Sequence, residues 1–131
     1  MTVQNIIDIG ATDTWEGKTF VEKDLGTNAL GMSVNATEPG GEAPFWHRHA
    51  KLEELYVFLE GTGEFALGDE VLPIGPGSVV RAGQDVWHAF RCLPDSAVPL
   101  KWLCVRSAGV PLAEVGKDAE LDRERPFPWN A

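Results

Sequence analysis

The sequence predicts an all-β domain, built as a sandwich or a barrel. Glycine and proline recur at short intervals along the 131 residues, and the runs between them are rich in aliphatic and aromatic side chains. Helical periodicity is nearly absent before residue 112. Short apolar runs separated by turn residues are typical of many strands joined by tight turns. The length fits one domain, residues 1–131, with enough chain to bury a core.

Ten segments have the composition expected of strands. Proline and glycine at residues 39–41 interrupt the chain before the first histidines, and the glycines at 61, 63 and 68 predict hairpin turns. We expect strands at residues 6–9, 19–22, 29–37, 45–49, 54–60, 63–67, 70–72, 78–81, 88–92 and 100–106.

The last part of the chain, about residues 112–131, has a different character. Residues 112–125 read LAEVGKDAELDRER, a mixed-charge stretch that predicts a short helix or a solvated tail. The closing segment PFPWNA contains Phe127 and Trp129, whose rings we expect to pack on the barrel or on a partner subunit.

Charge and cysteine content argue against several classes of partner. The formal net charge is −9 with only 11 lysines and arginines, which disfavours nucleic acid because phosphate binding depends on basic side chains. No segment has the length of a membrane span, and residues 1–15 lack the basic and apolar regions of a secretion signal. Cys92 and Cys104 are too few for a disulfide framework. We therefore expect a cytoplasmic protein with reduced cysteines.

The stretch from Gly41 to Gly61, GEAPFWHRHAKLEELYVFLEG, contains the strongest functional signal. Residues two apart in a strand point to the same face, so His47 and His49 can direct both imidazoles to one point. Two neighbouring carboxylates follow a few residues later. His88 lies on a similar apolar strand. This pattern predicts a metal site at which all 3 histidines of the chain meet.

The neighbouring carboxylates Glu53 and Glu54 lie on opposite faces of their strand. If Glu54 points inward, Tyr56 and Phe58 do too, and a face of leucine and valine points outward. That aliphatic face has the composition of a barrel interior, so strand alternation favours Glu53. The strand is apolar on both faces, however, as expected where one side meets a second sheet or subunit. On the residues alone, both carboxylates stay candidates.

The same stretch resembles the first motif of the cupin superfamily, G-x5-H-x-H-x3–4-E-x6-G, with no departure. The matching residues are Gly41, His47, His49, Glu54 and Gly61.

A second cupin motif, G-x5-P-x-G-x2-H-x3-N, is matched only in part. Gly77 and His88 stand at the expected separation, but Gly83, Asp85 and Cys92 occupy the proline, second glycine and asparagine positions. With motif 1 at residues 41–61 and motif 2 at residues 77–92, the chain is similar to a small single-domain microbial cupin.

The resemblance implies a fold and a metal centre. Cupins fold as a double-stranded β-helix, or jelly-roll, barrel, followed here by a short irregular or helical tail. Motif spacing assigns Glu54 rather than Glu53, so the implied ligands are His47, His49, Glu54 and His88. Three imidazoles and one carboxylate suit a divalent transition metal such as Fe, Mn, Ni, Cu or Zn. Four protein ligands leave positions open for a substrate or dioxygen.

Three functional hypotheses follow from this ligand set. If every histidine binds metal, none remains as a general base, which disfavours metal-free sugar epimerases of the cupin type and centres the chemistry on the metal. We favour a metal-dependent oxidoreductase of the dioxygenase type acting on a small organic molecule. The alternatives are a metal-dependent isomerase or lyase acting on a sugar or oxo acid, and a non-catalytic small-molecule-binding protein.

Further residues have expected roles beside the metal. Tyr56 is the only tyrosine of the chain and shares a face with Glu54, so it is the candidate catalytic residue, as a donor of a hydrogen bond or proton to the substrate. Cys92 shares the face of His88, as a packing residue or as a soft group near the metal. Small cupins commonly dimerise through the outer sheet, which implies a homodimer. Candidates for burial at that interface are Trp15, Trp46, Phe127 and Trp129.

Overall fold

The structure, a computed structural model, describes residues 4–130. They form two antiparallel sheets of five strands each, ordered β1-β2-β9-β4-β7 and β10-β3-β8-β5-β6. This is the predicted all-β jelly-roll arrangement, and that prediction is confirmed. The strands are β1 (Lys18–Phe20), β2 (Leu30–Thr37), β3 (Trp46–His49), β4 (Glu53–Glu60), β5 (Gly63–Leu67), β6 (Glu70–Ile74), β7 (Val79–Ala82), β8 (His88–Cys92), β9 (Leu100–Ser107) and β10 (Ala119–Asp122).

Helical structure is confined to single turns. Helix α1 (Glu22–Leu25) ends at Gly26, whose left-handed φ of 63° turns the chain toward β2. Helix α2 (Leu112–Val115) precedes β10, and 3-10 turns lie at Thr12–Thr14 and Pro128–Asn130. Across residues 4–130, no helix has the length and apolar character needed to cross a membrane.

Strand β4 presents an aromatic face to the interior and an aliphatic face to the outside. Glu54, Tyr56 and Phe58 are buried, whereas Glu53 points outward and pairs with Arg81, with Oε2 and Nε 2.6 Å apart. The interpretation from alternation alone, which favoured Glu53 as the inward residue, is therefore wrong. The reason is physical: aromatic side chains fill the space between the sheets, and the smaller aliphatic ones are left for the outer face.

Edge-to-face rings make up much of the core between the two sheets. Phe65 lies 4.8 Å from Tyr56 and 6.2 Å from Phe58, measured between ring centroids. Gly61, at the end of motif 1, has a φ of 84°, and a Cβ there would lie 2.6 Å from the carbonyl oxygen of Pro99. Only glycine fits this close approach to the segment that leads into β9.

The predicted strand at residues 6–9 does not form. Residues 4–11 form no strand, and Ile6 is 76% exposed. A strand needs a neighbour with free backbone groups, and the nearest sheet edge, β1, is only three residues long. The segment is tied to α1 instead by a hydrogen bond from the backbone N–H of Gln4 to the carbonyl of Asp24.

The C-terminal tail forms part of the barrel. Strand β10, which no sequence pattern indicated, pairs antiparallel with β3 and supplies the edge of the second sheet. Residues beyond it cover Trp46, which is 1% exposed. The Phe127 ring lies 5.9 Å from the Trp46 ring, and the Arg125 guanidinium lies 4.0 Å from its centroid. Trp46 is therefore not an exposed candidate for a subunit interface, because the chain's own tail buries it.

Asp85 replaces the second glycine of motif 2 but keeps the glycine-like backbone. Its φ is 63°, and it is the only residue other than glycine with a positive φ in the described part of the chain. Aspartate tolerates this left-handed conformation better than most residues. Its backbone N–H donates to the carbonyl of His49 at 2.7 Å, which ties the turn before β8 to the end of β3.

Candidate metal centre

The candidate metal ligands come from both sheets of the barrel. His47 and His49 lie on β3, and His88 lies on the neighbouring β8, directly opposite His47 in the strand register. Glu54 lies near the start of β4 in the other sheet and is 6% exposed. The structure thus brings together the four side chains that the cupin motifs assign to the metal.

The Nε2 atoms of the three histidines surround one oxygen, Oε1 of Glu54. This oxygen lies 2.9 Å from His88 Nε2, 3.4 Å from His47 Nε2 and 3.5 Å from His49 Nε2. Ligand atoms of His47, His49 and Glu54 all lie within 4.8 Å of one another. His88 is outside that mutually spaced group, although its Nε2 is the nearest of the three to the carboxylate. Adjacent donors around an ion with bonds of about 2.1 Å lie about 3 Å apart, so the spacing of His47, His49 and Glu54 suits a single ion, and His88 Nε2 lies at about this distance from Glu54.

In two of the imidazoles, the hydrogen bond at Nδ1 determines which ring nitrogen carries the proton and therefore what Nε2 offers to the carboxylate. His88 Nδ1 lies 2.9 Å from the carbonyl oxygen of Val86, and His49 Nδ1 lies 2.9 Å from Oδ1 of Asp118. Both partners are acceptors, so Nδ1 carries the proton, and a neutral ring has a lone pair on Nε2. Two lone pairs then face a carboxylate oxygen, which requires a proton or a cation between them. This donor set fits a divalent transition metal ion.

The local electrostatics favour the metal-binding forms of Glu54 and His47. When a proton rather than a cation lies between the carboxylate and the imidazoles, hydrogen bonds and charge from His47 and His88 outweigh burial and hold the pKa of Glu54 well below its usual range. Burial lowers the pKa of His47, against the opposing influence of Glu54. The site therefore presents a carboxylate beside an imidazole that favours its neutral form.

Asp118 holds His49 from outside the ligand cluster. Its Oδ1 accepts the hydrogen bond from His49 Nδ1, and its Oδ2 accepts from the backbone N–H groups of Lys51 and Leu52 at 3.0 and 2.9 Å. Burial opposes the charge, but these bonds lower the pKa of Asp118. A charged acceptor on Nδ1 orients the imidazole and makes Nε2 a more basic ligand.

Tyr56 and Cys104 lie against the same carboxylate. The Tyr56 hydroxyl is 3.0 Å from His88 Nε2 and 3.3 Å from Glu54 Oε1, and Cys104 Sγ is 3.2 Å from Glu54 Oε2. Burial and the negative charge of Glu54 raise the pKa of both groups. The phenol and the thiol therefore stay protonated and act as hydrogen-bond donors.

Sequence reasoning did not identify Asp118 or Cys104. Cys104 lies opposite Tyr56 in the pairing of β9 with β4, strands that are far apart in the sequence. Asp118 lies in the mixed-charge tail, where no local pattern separates it from neighbouring acidic residues. Cys92, for which two roles were open, is fully buried in the hydrophobic core, which favours the packing role.

A cavity of about 400 Å³ opens beside the candidate metal centre. His47, Tyr56 and Cys104 form part of its wall, so the site and the cavity are continuous. His47 also has the most exposed side chain of the three imidazoles, at 20% against 13% for His49 and 2% for His88. A small molecule would therefore approach the centre from the side of His47. Apolar wall residues include Phe45, Phe90 and Trp102.

Comparison with known families agrees with this geometry. Residues 35–106 match the family model described as a cupin domain. The chain belongs to the cupin family. The matched region contains all four candidate ligands of this cupin, whereas Asp118 lies beyond it.

Solved structures show the same fold. A cupin protein from Bacteroides fragilis matches with a TM-score of 0.70 at 20% identity, covering 98% of this cupin and 95% of that chain. A cupin-like protein from Thermotoga maritima MSB8 has a TM-score of 0.66 at 20% identity, with coverages of 86% and 82%. The DMSP lyase DddQ from Ruegeria pomeroyi DSS-3 has a TM-score of 0.60 at 24% identity, with coverages of 77% and 47%. At these identities the likeness shows the fold alone. No curated protein sequence matches this cupin significantly.

Proposed function

We propose that this cupin is a metal-dependent oxidoreductase of the dioxygenase type that acts on a small organic molecule. The observation that carries the proposal is the convergence of three imidazoles and one carboxylate at the wall of a largely apolar cavity. The residues that would hold the metal are His47, His49, Glu54 and His88. A divalent ion there, with Fe, Mn, Ni, Cu and Zn as candidates, would supply Lewis-acid chemistry and, if redox-active, chemistry with dioxygen.

The protein's own groups would bind the substrate and exclude water. Phe45, Phe90 and Trp102 offer an apolar surface to the carbon skeleton. Tyr56 is the proposed catalytic residue, because its protonated hydroxyl can donate a hydrogen bond or a proton to a substrate oxygen that reaches the cavity wall. Cys104 would hold the second oxygen of Glu54 and so keep that carboxylate oriented.

Oxygen uptake tests this function. Protein purified without added metal is first analysed for its metal content, then loaded with Fe(II) and incubated in air with candidate small organic acids and phenols. We expect substrate-dependent oxygen consumption that Glu54→Gln abolishes. Glu53→Gln is the matched control and should retain it, because Glu53 points outward to Arg81. Absence of uptake with every redox-active metal contradicts the proposal.

A second candidate function is a metal-dependent isomerase or lyase acting on a sugar or oxo acid. The observation that favours it is Tyr56, whose hydroxyl lies 3.0 Å from His88 Nε2 and 3.3 Å from Glu54 Oε1 and can move a proton without oxygen chemistry. The fold likeness to a DMSP lyase is compatible with it. This function predicts turnover without oxygen that persists with redox-inert Zn(II). Full activity of Tyr56→Phe would remove Tyr56 from that role.

We also propose that the protein forms a homodimer through the outer face of the first sheet. Leu55, Leu59 and Val79 are exposed there at 43%, 37% and 60%, beside Val57 and Leu103 in the strand register. A twofold axis through this aliphatic stripe would bury it against the same stripe of a second copy. Light scattering should report a dimer that Val79→Lys weakens. A wild-type monomer at micromolar concentration contradicts this assembly.

We propose that the protein is cytoplasmic and acts without a nucleic-acid or membrane partner. Cys92 and Cys104 are both free and buried, which suits a reducing compartment. The net charge of −9 opposes binding to phosphate-rich surfaces.

A further inference from the structure

The cavity beside the metal centre has one cationic side chain in its wall, Lys18. The acidic residue of the wall, Glu42, accepts hydrogen bonds from Trp129 Nε1 and Asn130 Nδ2. Lys18, by contrast, forms no salt bridge within residues 4–130. Its Nζ rests 4.9 Å from the centroid of the Phe20 ring. The ammonium is therefore available to a ligand.

Strand register places Lys18 on the cavity side of β1. Lys18 lies opposite Asn35 in the antiparallel pair of β1 and β2, so the two side chains share a face. Asn35 is buried and lines the cavity. Lys18 is itself among the wall residues, so the strand register and the cavity lining agree on the side of β1 that carries it.

The neutral polar side chains beside Lys18 are engaged with each other and with the backbone. Asn35 Nδ2 donates to Ser33 Oγ at 3.0 Å and to the carbonyl of Trp102 at 3.4 Å. Lys18 is therefore the charged side chain of the wall that is left for a ligand, because the Glu42 carboxylate is already held by Trp129 and Asn130. Local potential rather than the net charge of −9 governs which small ligand enters such a cleft.

We propose that Lys18 selects small organic monocarboxylates with an apolar body as the ligands of this cavity. The carboxylate would pair with the ammonium at the cavity mouth, and the body would lie against Phe45, Phe90 and Trp102 and reach toward His47. This proposal rests on the proposed function and deepens it, because it names the substrate class. Lys18 would determine which ligand binds, without contacting the reacting atoms.

Binding of defined probes tests the proposal without turnover. Benzoate, phenylacetate and 3-phenylpropionate are titrated by NMR into Zn(II)-loaded and metal-free protein at low ionic strength, alongside their uncharged amides. We expect at least one carboxylate to bind more tightly than its amide. Lys18→Gln should weaken that carboxylate about three- to fivefold and leave the amide unchanged, and added salt should shrink the difference. Lys18→Arg should retain the preference.

A matched control shows whether the effect depends on where the lysine lies or only on the loss of one positive charge. Lys23→Gln removes a lysine from α1, outside the cavity wall, and should bind the probes as the wild type does. Melting curves of the two glutamine variants check that both are folded. The proposal is overturned if none of the carboxylates binds the wild type, if the amides bind as tightly, or if Lys18→Gln keeps full affinity.

The two levels of the proposal fail separately. Lys18-dependent carboxylate binding to the Zn(II) form, without oxygen uptake by the Fe(II) form, would support the Lys18 site and contradict the oxygenase function. Oxygen uptake on an uncharged substrate, unchanged in Lys18→Gln, would support the oxygenase function and contradict the Lys18 site.

Discussion

Replacing Asp118 by asparagine should weaken metal binding while leaving the fold intact. Asp118 accepts three hydrogen bonds, one from His49 Nδ1 and two from the backbone N–H groups of Lys51 and Leu52. Asparagine has the same shape but only one acceptor oxygen. With that oxygen toward the backbone, its NH2 group faces His49 Nδ1 and can donate to it. The His49 proton then moves to Nε2, the atom that should bind the metal.

The size of the effect follows from the contacts that are lost. The opposite orientation of asparagine would keep the bond from His49 but lose both backbone bonds, at about 1 kcal/mol each, so the first orientation is favoured. Loss of an outer carboxylate on a ligating histidine typically reduces metal affinity about 10- to 100-fold. That corresponds to about 1.4 to 2.8 kcal/mol of binding free energy.

Chelator competition with Zn(II) or Co(II) measures this difference directly. Glu120→Gln is the matched control, because Glu120 lies on β10 just after Asp118 and pairs with Arg48 at the surface, away from the imidazoles. It should bind metal as the wild type does. An Asp118→Asn affinity within about twofold of the wild type would refute the reasoning, as would an equal loss in Glu120→Gln.

Three further predictions concern stability. When free metal is present at about 100 times its Kd, stripping it should cost about 2.7 kcal/mol of unfolding free energy and lower the Tm by about 10 °C. His49→Ala should abolish this difference between the loaded and stripped forms. Identical melting curves for the loaded and stripped wild type would argue against a metal site. In urea unfolding, Asp85→Ala should lower the free energy of unfolding by about 1 to 2 kcal/mol, because position 85 has a left-handed φ of 63°. Asp85→Gly should stay within about 0.5 kcal/mol of the wild type. Equal losses in the two variants would exclude backbone strain as the cause. Phe127→Ala should lose about 2 kcal/mol and shift tryptophan emission to the red as Trp46 gains water, unlike the control Leu121→Ala at an exposed site.

The fold was predictable because its main signals are local. The glycine and proline positions mark the turns, and the apolar runs of β4, β5, β8 and β9 lie within a residue or two of the predicted strands. The expected strand at residues 6–9 shows the limit. Its isoleucines indicate an apolar segment but carry no information about whether a neighbouring strand has backbone groups free to pair with it.

The candidate site was likewise predictable only where its residues are close in the sequence. The spacing of His47, His49 and Glu54 is a local property of two adjacent strands, so the sequence could indicate that cluster. Asp118 and Cys104 reach it only through the pairings of β10 with β3 and of β9 with β4. These pairings join residues more than forty positions apart, about 70 between Asp118 and His49, and no periodicity within either segment records them.

The burial of Trp46 was hidden for a related reason. Its side chain lies at the start of β3, where alternation places it outside the barrel and, by that rule alone, in water. The cover comes from Arg125 and Phe127, near the other end of the described chain. Those two residues read as part of a charged, proline-containing tail, and only the pairing of β10 brings them back across β3.

The candidate metal centre is divided between the two sheets, and this division would have a mechanical consequence. His47, His49 and His88 belong to one sheet and Glu54 to the other. An ion held by all four would be a cross-link between layers that are otherwise joined by packing, connecting loops and the hydrogen bonds of His88 with Glu54 and Tyr56. The sheets could then separate only after the ion is released, so amide protons of β8 and β4 should become slower to exchange together on loading. In such a barrel the ion that takes part in the chemistry would also limit how far the two sheets can separate.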